Sequence, residues 1–266
     1  MNVRHSRILK KLRAGQIPTC LKLNLADARV VELACLSGAD AVWMCNEHVP
    51  NDWLNLEHMI RAARVHDVDC IVRVAKGSYS DYVKPFEAGA TGLMVPHVAT
   101  AAEARKIVEM TRFQPLGRRP IDGGNIDGAF CLIPTVDYIA QCNQEQFLIL
   151  QIESPEALAN VEEIAAVPGF NGLLFGAGDF SHLSGKPGQV GCPETVAARK
   201  RVATAARANG KFAMTPGQIA SWEEQAAEGY NVFNLGADVI GIGDYFRSKV
   251  ADFNKLPLTQ TKSVYR

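Results

Sequence analysis

Apolar positions along the chain alternate between two textures. Segments in which they recur three and four residues apart give way, through a glycine, to short uninterrupted apolar runs. The first texture reads as an amphipathic helix, the second as a strand buried on both faces. The junction recurs as Gly38-Ala39-Asp40-Ala41 before Val42-Trp43-Met44, as Gly89-Ala90-Thr91-Gly92 before Leu93-Met94-Val95, as Gly169-Phe170-Asn171-Gly172 before Leu173-Leu174-Phe175, and as Gly229-Tyr230-Asn231 before Val232-Phe233. Glycine just past a helix end adopts the left-handed conformation that stops the helix, so the repeating unit is a helix followed by a parallel strand. One buried helical face is predicted at Val30, Leu33, Ala34 and Ser37, another at Ala104, Ile107, Val108 and Thr111. Helix starts are marked by the capping box Thr100-Ala101-Ala102-Glu103 and by Ser154-Pro155, an N-cap residue before a proline at the first helical position.

Apolar runs mark eight candidate strands, around Cys20–Leu23, Ala41–Met44, Cys70–Val74, Gly92–Pro96, Leu148–Ile152, Gly172–Phe175, Phe212–Met214 and Val232–Leu235. Eight strands alternating with helices predict an α/β protein with a single (β/α)8 TIM barrel over residues 1–266, and no change of composition marks a second domain. A doubly wound open sheet would normally carry a Gly-x-Gly-x-x-Gly turn after its first strand, and Leu23-Asn24-Leu25-Ala26 has none. The stretch Pro115–Pro134, rich in Gly, Pro, Arg and Asp, is long for a barrel connection and is expected to lie over the active-site mouth.

Charge and composition remove several classes of function. With 28 Lys+Arg against 28 Asp+Glu, the chain has no strong electrostatic claim on nucleic acid or an anionic membrane. No apolar run approaches the roughly 18 to 20 residues that span a bilayer, and Met1-Asn2-Val3-Arg4-His5 lacks the apolar stretch of a signal peptide. Seven scattered cysteines without a Cys-x-x-Cys pair predict free thiols in a reducing cytoplasm, not a disulfide framework or zinc ribbon.

In a barrel the chemistry sits where strands end at the C-terminal face. Glu153 and Asp179 lie one strand-helix unit apart, and two hard oxygen ligands at one mouth suit Mg²⁺ or Mn²⁺. Read as structure only, Glu153 starts the following helix and Asp179 caps a turn. Gln151 shares a strand face with Glu153 and could orient a ligand or water. Arg73 interrupts Cys70-Ile71-Val72-Arg73-Val74, and a cation there needs an anion: a carboxylate or enolate of the substrate, or a salt bridge to Glu47 or Glu153. His48 sits in a loop where an imidazole can transfer protons near neutral pH. Gly176-Ala177-Gly178 permits close backbone approach, and its amides could bind a small carboxylate. Gly241-Ile242-Gly243, after the eighth strand, is either a phosphate site or the start of the last helix. Lys22, on the first strand, is either a Schiff-base nucleophile or, more simply, a counter-charge for an acidic substrate or a carboxylate neighbour.

Six of these segments occur together and in order: Glu47-His48-Val49-Pro50-Asn51, Val72-Arg73-Val74, Glu87-Ala88-Gly89-Ala90 through Val95-Pro96, Gly117-Arg118-Arg119, Gln151-Ile152-Glu153 and Gly176-Ala177-Gly178-Asp179-Phe180-Ser181. In them the chain resembles the HpcH/HpaI aldolase family, the class II metal-dependent pyruvate aldolases, along nearly its whole length. The resemblance implies a barrel in which Glu153 and Asp179 hold Mg²⁺, Mn²⁺ or Co²⁺, the metal acting as Lewis acid on a chelating 2-keto acid. It implies that Arg73 binds the keto oxygen as charge develops, that His48, directly or through a bound water, removes the hydroxyl proton of the aldol, and that amides around Gly176 to Asp179 hold the pyruvate carboxylate. It also implies a homo-oligomer, a hexamer of swapped-helix dimers, in which Glu87 reaches the neighbouring subunit's site.

Three departures from the family pattern fall in or near the site. Cys45-Asn46 stands where relatives carry Asp-Gly or Asp-Met, which removes a carboxylate near the histidine and weakens His48 as a base. Lys22 stands where many relatives carry tryptophan, and Arg119-Pro120 where Arg-Gly is usual. These favour a more acidic or more polar acceptor and leave the pyruvate half intact. The expectation is a cytoplasmic, divalent-metal-dependent aldehyde-lyase that cleaves a 4-hydroxy-2-oxo acid, derived from a sugar acid or from aromatic degradation, to pyruvate and an aldehyde. Its rivals are oxaloacetate decarboxylation or another enolate transfer, a Schiff-base aldolase at Lys22, and a non-catalytic keto-acid-binding protein.

Overall fold

The structure is a computed structural model and describes residues 1–217 and 220–256. In chain order its elements are α1 (Arg7–Arg13), β1 (Thr19–Leu23), α2 (Ala28–Leu36), β2 (Ala41–Cys45), α3 (Trp53–Val65), β3 (Asp69–Arg73), α4 (Tyr79–Glu87), β4 (Gly92–Val95), α5 (Ala101–Thr111), α6 (Thr135–Glu145), β5 (Phe147–Ile152), α7 (Pro155–Ala159), α8 (Val161–Ala165), β6 (Gly172–Phe175), α9 (Ala177–Leu183), α10 (Pro193–Ala208), β7 (Phe212–Met214), α11 (Trp222–Ala227), β8 (Phe233–Ala237) and α12 (Asp238–Asn254). Each predicted strand is present, its ends displaced by no more than about two residues. Short polar side chains start the helices as their chemistry requires: Ser6, Asp27, Asp52, Thr100 and Ser154 each accept a backbone N–H from the first turn that follows. Gly38, Gly89 and Gly229 each directly follow a helix C-cap and stop the helix at φ +91°, +100° and +102°, whereas Gly169, at +91°, does not stop α8, which already ends at Ala165 and is capped by Ala166.

The strands form one parallel eight-stranded sheet in the order β7-β6-β5-β4-β3-β2-β1-β8. A parallel bridge between Met214 and Val232 brings β7 to the segment leading into β8 and nearly closes the barrel. Alternation along each strand separates two cores. Cys20, Trp43, Ile71, Met94, Ile149 and Leu174 fill the interior. Leu23, Val42, Val72, Leu93, Leu148 and Leu173 face the surrounding helices. At the end where the strands begin, α1 inserts Ile8 and Leu9 into the interior. Asp69 anchors it, accepting the Ser6 hydroxyl at 2.6 Å and the Ile8 N–H at 2.9 Å. Among the described residues α1 thus plugs that end, and the strands end at the opposite mouth. Among the described residues no helix is long and apolar enough to cross a membrane.

Two expectations are corrected. On α2 the buried positions are Val31, Ala34 and Cys35, while Leu33 is 65% exposed. The helix is rotated relative to the predicted face, and Val30 and Leu33 border a groove beside β1 and α12 instead. The segment Pro115–Pro134 does not cover the mouth. The chain entering it at Arg112 donates to the carbonyls of Gln146 (2.6 Å) and Gly169 (2.8 Å), and Arg119 donates to the Gln146 side chain (3.0 Å), all just before β5 and β6 begin. Two buried guanidinium groups need acceptors, and these carbonyls and the Gln146 amide supply them at the closed end of the barrel.

Candidate active site

The interior alternation that buries Cys20, Trp43, Ile71 and Ile149 makes the inward residues nearer the strand ends Lys22, Cys45, Arg73 and Gln151. Arg73 is buried and is the best-held of them. Its Nη2 donates to Cys45 Sγ at 3.0 Å, its Nη1 reaches Gln151 Oε1 at 3.5 Å, and its guanidinium lies 5.1 Å from the centre of the Trp43 ring. Its Nε is 3.1 Å from Glu47 Oε2, but the N–H is misdirected, so both buried atoms lack a hydrogen-bond partner among the described residues. A salt bridge to Glu47, open from sequence, is therefore present as an ion pair with hydrogen-bonding capacity left over.

Gln151 Nε2 donates in turn to Glu153 Oε2. The other oxygen of Glu153 accepts the His97 backbone N–H at 2.7 Å and lies 3.1 Å from His97 Nδ1. The far nitrogen of that ring is 3.3 Å from Glu47 Oε1, so His97 bridges the two acids. Burial pushes the Glu153 carboxyl up to about 7; the His97 contacts oppose the rise, and the charges of Asp179 and Glu47 add to it. Gly176, just past β6, leaves the space this arrangement occupies. A Cβ there would stand 2.7 Å from Glu153 Oε2 and 2.9 Å from Gln151 Nε2.

The structure thus gathers Arg73, Gln151, Glu153, Gly176, Ala177 and Lys22 around one mouth, with Gly178 and Asp179 exposed in the first turn of α9. His48 is at its rim: the ring is 61% exposed and lies 3.5 Å from Glu47 Oε2. Glu87 is not brought to this mouth. It ends α4 on the outer wall, 3.8 Å from Arg119. Gly241 and Gly243 fall inside α12 rather than in a phosphate loop. His97 is the member the sequence reading missed. It directly follows Val95-Pro96 at a strand end, but its φ of +55° is what turns it into the site.

Glu153 and Asp179 supply hard oxygen donors, and a divalent cation would offset the charge they share with Glu47. Among the described residues, no group of three or more His, Cys, Asp or Glu side chains is arranged to hold a metal. A cation on these two carboxylates would therefore take further oxygen ligands from substrate or water.

A parallel barrel with an arginine, an amide and acids gathered at its strand ends has the architecture of a barrel enzyme with a polar mouth. The sequence matches HpcH/HpaI aldolase/citrate lyase over residues 19–242, and the chain belongs to that family. It is 31% identical over 248 residues to 2-keto-3-deoxy-L-rhamnonate aldolase of Escherichia coli (strain K12), spanning 92% of this chain and 91% of that one. Among solved structures it is similar to an HpcH/HpaI aldolase from Desulfitobacterium hafniense DCB-2, with a TM-score of 0.88, 25% identity and coverage of 95% and 98% of the two chains. It is also similar to the citrate synthase SbnG, with a TM-score of 0.85, 27% identity and coverage of 93% and 97%. The chain is accordingly an enzyme, a lyase of the aldolase type.

Proposed function

We propose that this enzyme cleaves a 4-hydroxy-2-oxo acid to pyruvate and an aldehyde, with a divalent metal as cofactor. The observation that carries the reading is the continuous chain Arg73–Gln151–Glu153 at the mouth, with Asp179 beside it and Arg73 keeping an unbonded N–H. Mg²⁺, Mn²⁺ or Co²⁺ held by Glu153 and Asp179 would supply Lewis acidity toward the 2-oxo acid. Arg73 binds the C2 oxygen and stabilises the charge that reaches it as the C3–C4 bond breaks and its electron pair forms the enolate. The C4 hydroxyl loses its proton to His48 as the aldehyde forms, and C3 then takes up a proton to give pyruvate. The Gly176 N–H is donated to the Ile152 carbonyl, so it is the N–H groups of Ala177, Gly178 and Asp179, in the first turn of α9, that receive the pyruvate carboxylate. Gln151 positions Glu153.

The same reading places the protein in the cytoplasm, in keeping with seven cysteines that form no disulfide. It also makes the protein a homo-oligomer, supported by α12, none of whose residues is buried. In that assembly Glu87 would serve a neighbouring subunit.

Exchange of the pyruvate methyl protons in D₂O, followed by NMR, tests the half-reaction without an acceptor. Metal-stimulated exchange that EDTA and Glu153→Ala both abolish is expected. Exchange that survives EDTA moves the chemistry to the Lys22 amine, and no exchange with any of the three metals overturns the aldolase reading.

A further inference from the structure

Lys22 is an exception in the charge arrangement of the mouth. It is half-buried, on the inward face of β1 above Cys20, in register with Trp43 of β2 and Ala237 of β8. Its Nζ rests 5.2 Å from the centre of the Trp43 ring, and Arg73 stacks on the same ring. Among the described residues it forms no ion pair and no hydrogen bond, although two acids lie near enough to act on it. Neither pairs with it. Asp238 spends its carboxylate on the backbone N–H groups of Asn24, Leu25 and Val239, at 2.9, 2.9 and 2.7 Å. Glu47 is divided between Arg73, His48 and His97. Burial pulls the ammonium below its ordinary value, and Arg73 adds to that, so the cost of holding the charge here is not met by the protein itself.

β1 lies across the barrel from β5 and β6, which carry Gln151, Glu153 and Gly176. A substrate whose 2-oxo acid end rests on those strands and on Arg73 can extend only along the mouth, and Lys22 lines the opposite wall. We infer that Lys22 is a specificity-determining residue that receives a carboxylate on the acceptor half of the substrate, so that the aldehyde this enzyme releases or accepts is itself an anion. The inference rests on the aldolase reading and adds the class of acceptor to it. Trp43 holds the two cations apart: Arg73 serves the oxo acid and Lys22 the distal anion.

The test is aldol addition of pyruvate, with metal, to two pairs of aldehydes that differ by a carboxylate for a methyl group: glyoxylate against acetaldehyde, and succinic semialdehyde against butanal. The readout is the ratio of kcat/KM within each pair. The wild-type protein is expected to prefer the anionic member of at least one pair. Lys22→Met should lower that ratio by about 10- to 100-fold, the size of a hydrogen bond to a charged group, while Lys22→Arg should keep most of it. Lys22→Gln repeats the neutral substitution should the methionine variant not fold. Wild-type protein that exchanges pyruvate protons yet prefers neither anion, or a preference that persists in Lys22→Met or Lys22→Gln, overturns the role of Lys22 and leaves the aldolase reading standing. Wild-type protein that does not exchange pyruvate protons overturns both.

Discussion

Arg73 is held by contacts of different kinds, a thiol, an amide, an aromatic ring and a misdirected carboxylate, and each constrains a different part of the guanidinium. A lysine would keep the charge but could not reach Cys45 and Gln151 at once or stack flat on Trp43. Arg73→Lys is therefore expected to slow metal-dependent pyruvate exchange by about 10²- to 10³-fold, the usual cost of losing a preorganised donor to a developing oxyanion. Circular dichroism should show the same fold, and a variant that exchanges at the wild-type rate would remove Arg73 from the chemistry. Arg73, Gln151 and Glu153 were legible in the sequence because a polar residue inside or just after an apolar strand has little else to do. His97 was not, because its bridge between Glu47 and Glu153 depends on a left-handed backbone conformation and on the spacing of β2 and β5, neither of which a local pattern encodes. Cys45 accepts from Arg73 and so takes part in aiming it.

At the scale of elements, the strands were easier to read than their surroundings. A continuous apolar run has one stable place in this architecture, between the interior and the helical layer, so eight runs and the glycine turns that lead into four of them sufficed to specify the barrel. The helical face of α2 and the position of the segment 115–134 were misread for a shared reason. Both depend on which partner covers them, and periodicity describes a face without naming its neighbour. Glycines inside strands carry a different constraint. The ring of Phe212 on β7 occupies the space a Cβ at Gly172 on β6 would need, as the ring of Phe147 on β5 does beside Gly92 on β4. Gly172→Ala must displace an interior aromatic in a packed barrel, and a loss of about 1 to 3 kcal/mol is expected. Urea unfolding would read it as a lower midpoint at unchanged slope, and an unchanged midpoint would show that the interior yields without cost.

At the scale of the whole molecule, α12 does not do what a last barrel helix does. It runs for 17 residues without burying one. Ile240, Tyr245, Phe246, Val250 and Phe253 are 59 to 61% exposed. Beside its first turn lies an apolar groove of about 430 Å³ bordered by Leu21, Val30 and Leu33. The first turns of α12 line that groove themselves, and the exposed apolar remainder of the helix is the surface on which the proposed assembly of copies would rest. The sequence reading expected exchange of helices by family resemblance. The exposed Leu33 on α2, which periodicity misassigned, would lie on the surface such an exchange needs. Sedimentation velocity is expected to give a mass several times that of one chain. Phe246→Asp together with Val250→Asp should shift it toward the single chain, by placing charge in a contact that excludes water. A wild-type protein that sediments as one chain would refute the assembly. Dissociation should also reach the chemistry, because Asp238 in the first turn of α12 accepts the Asn24 and Leu25 N–H groups that follow Lys22. A helix no longer clasped by a partner loosens that clamp, so the dissociated variant is expected to lose activity on acceptors before it loses its fold. Equal acceptor activity in both states would separate assembly from catalysis.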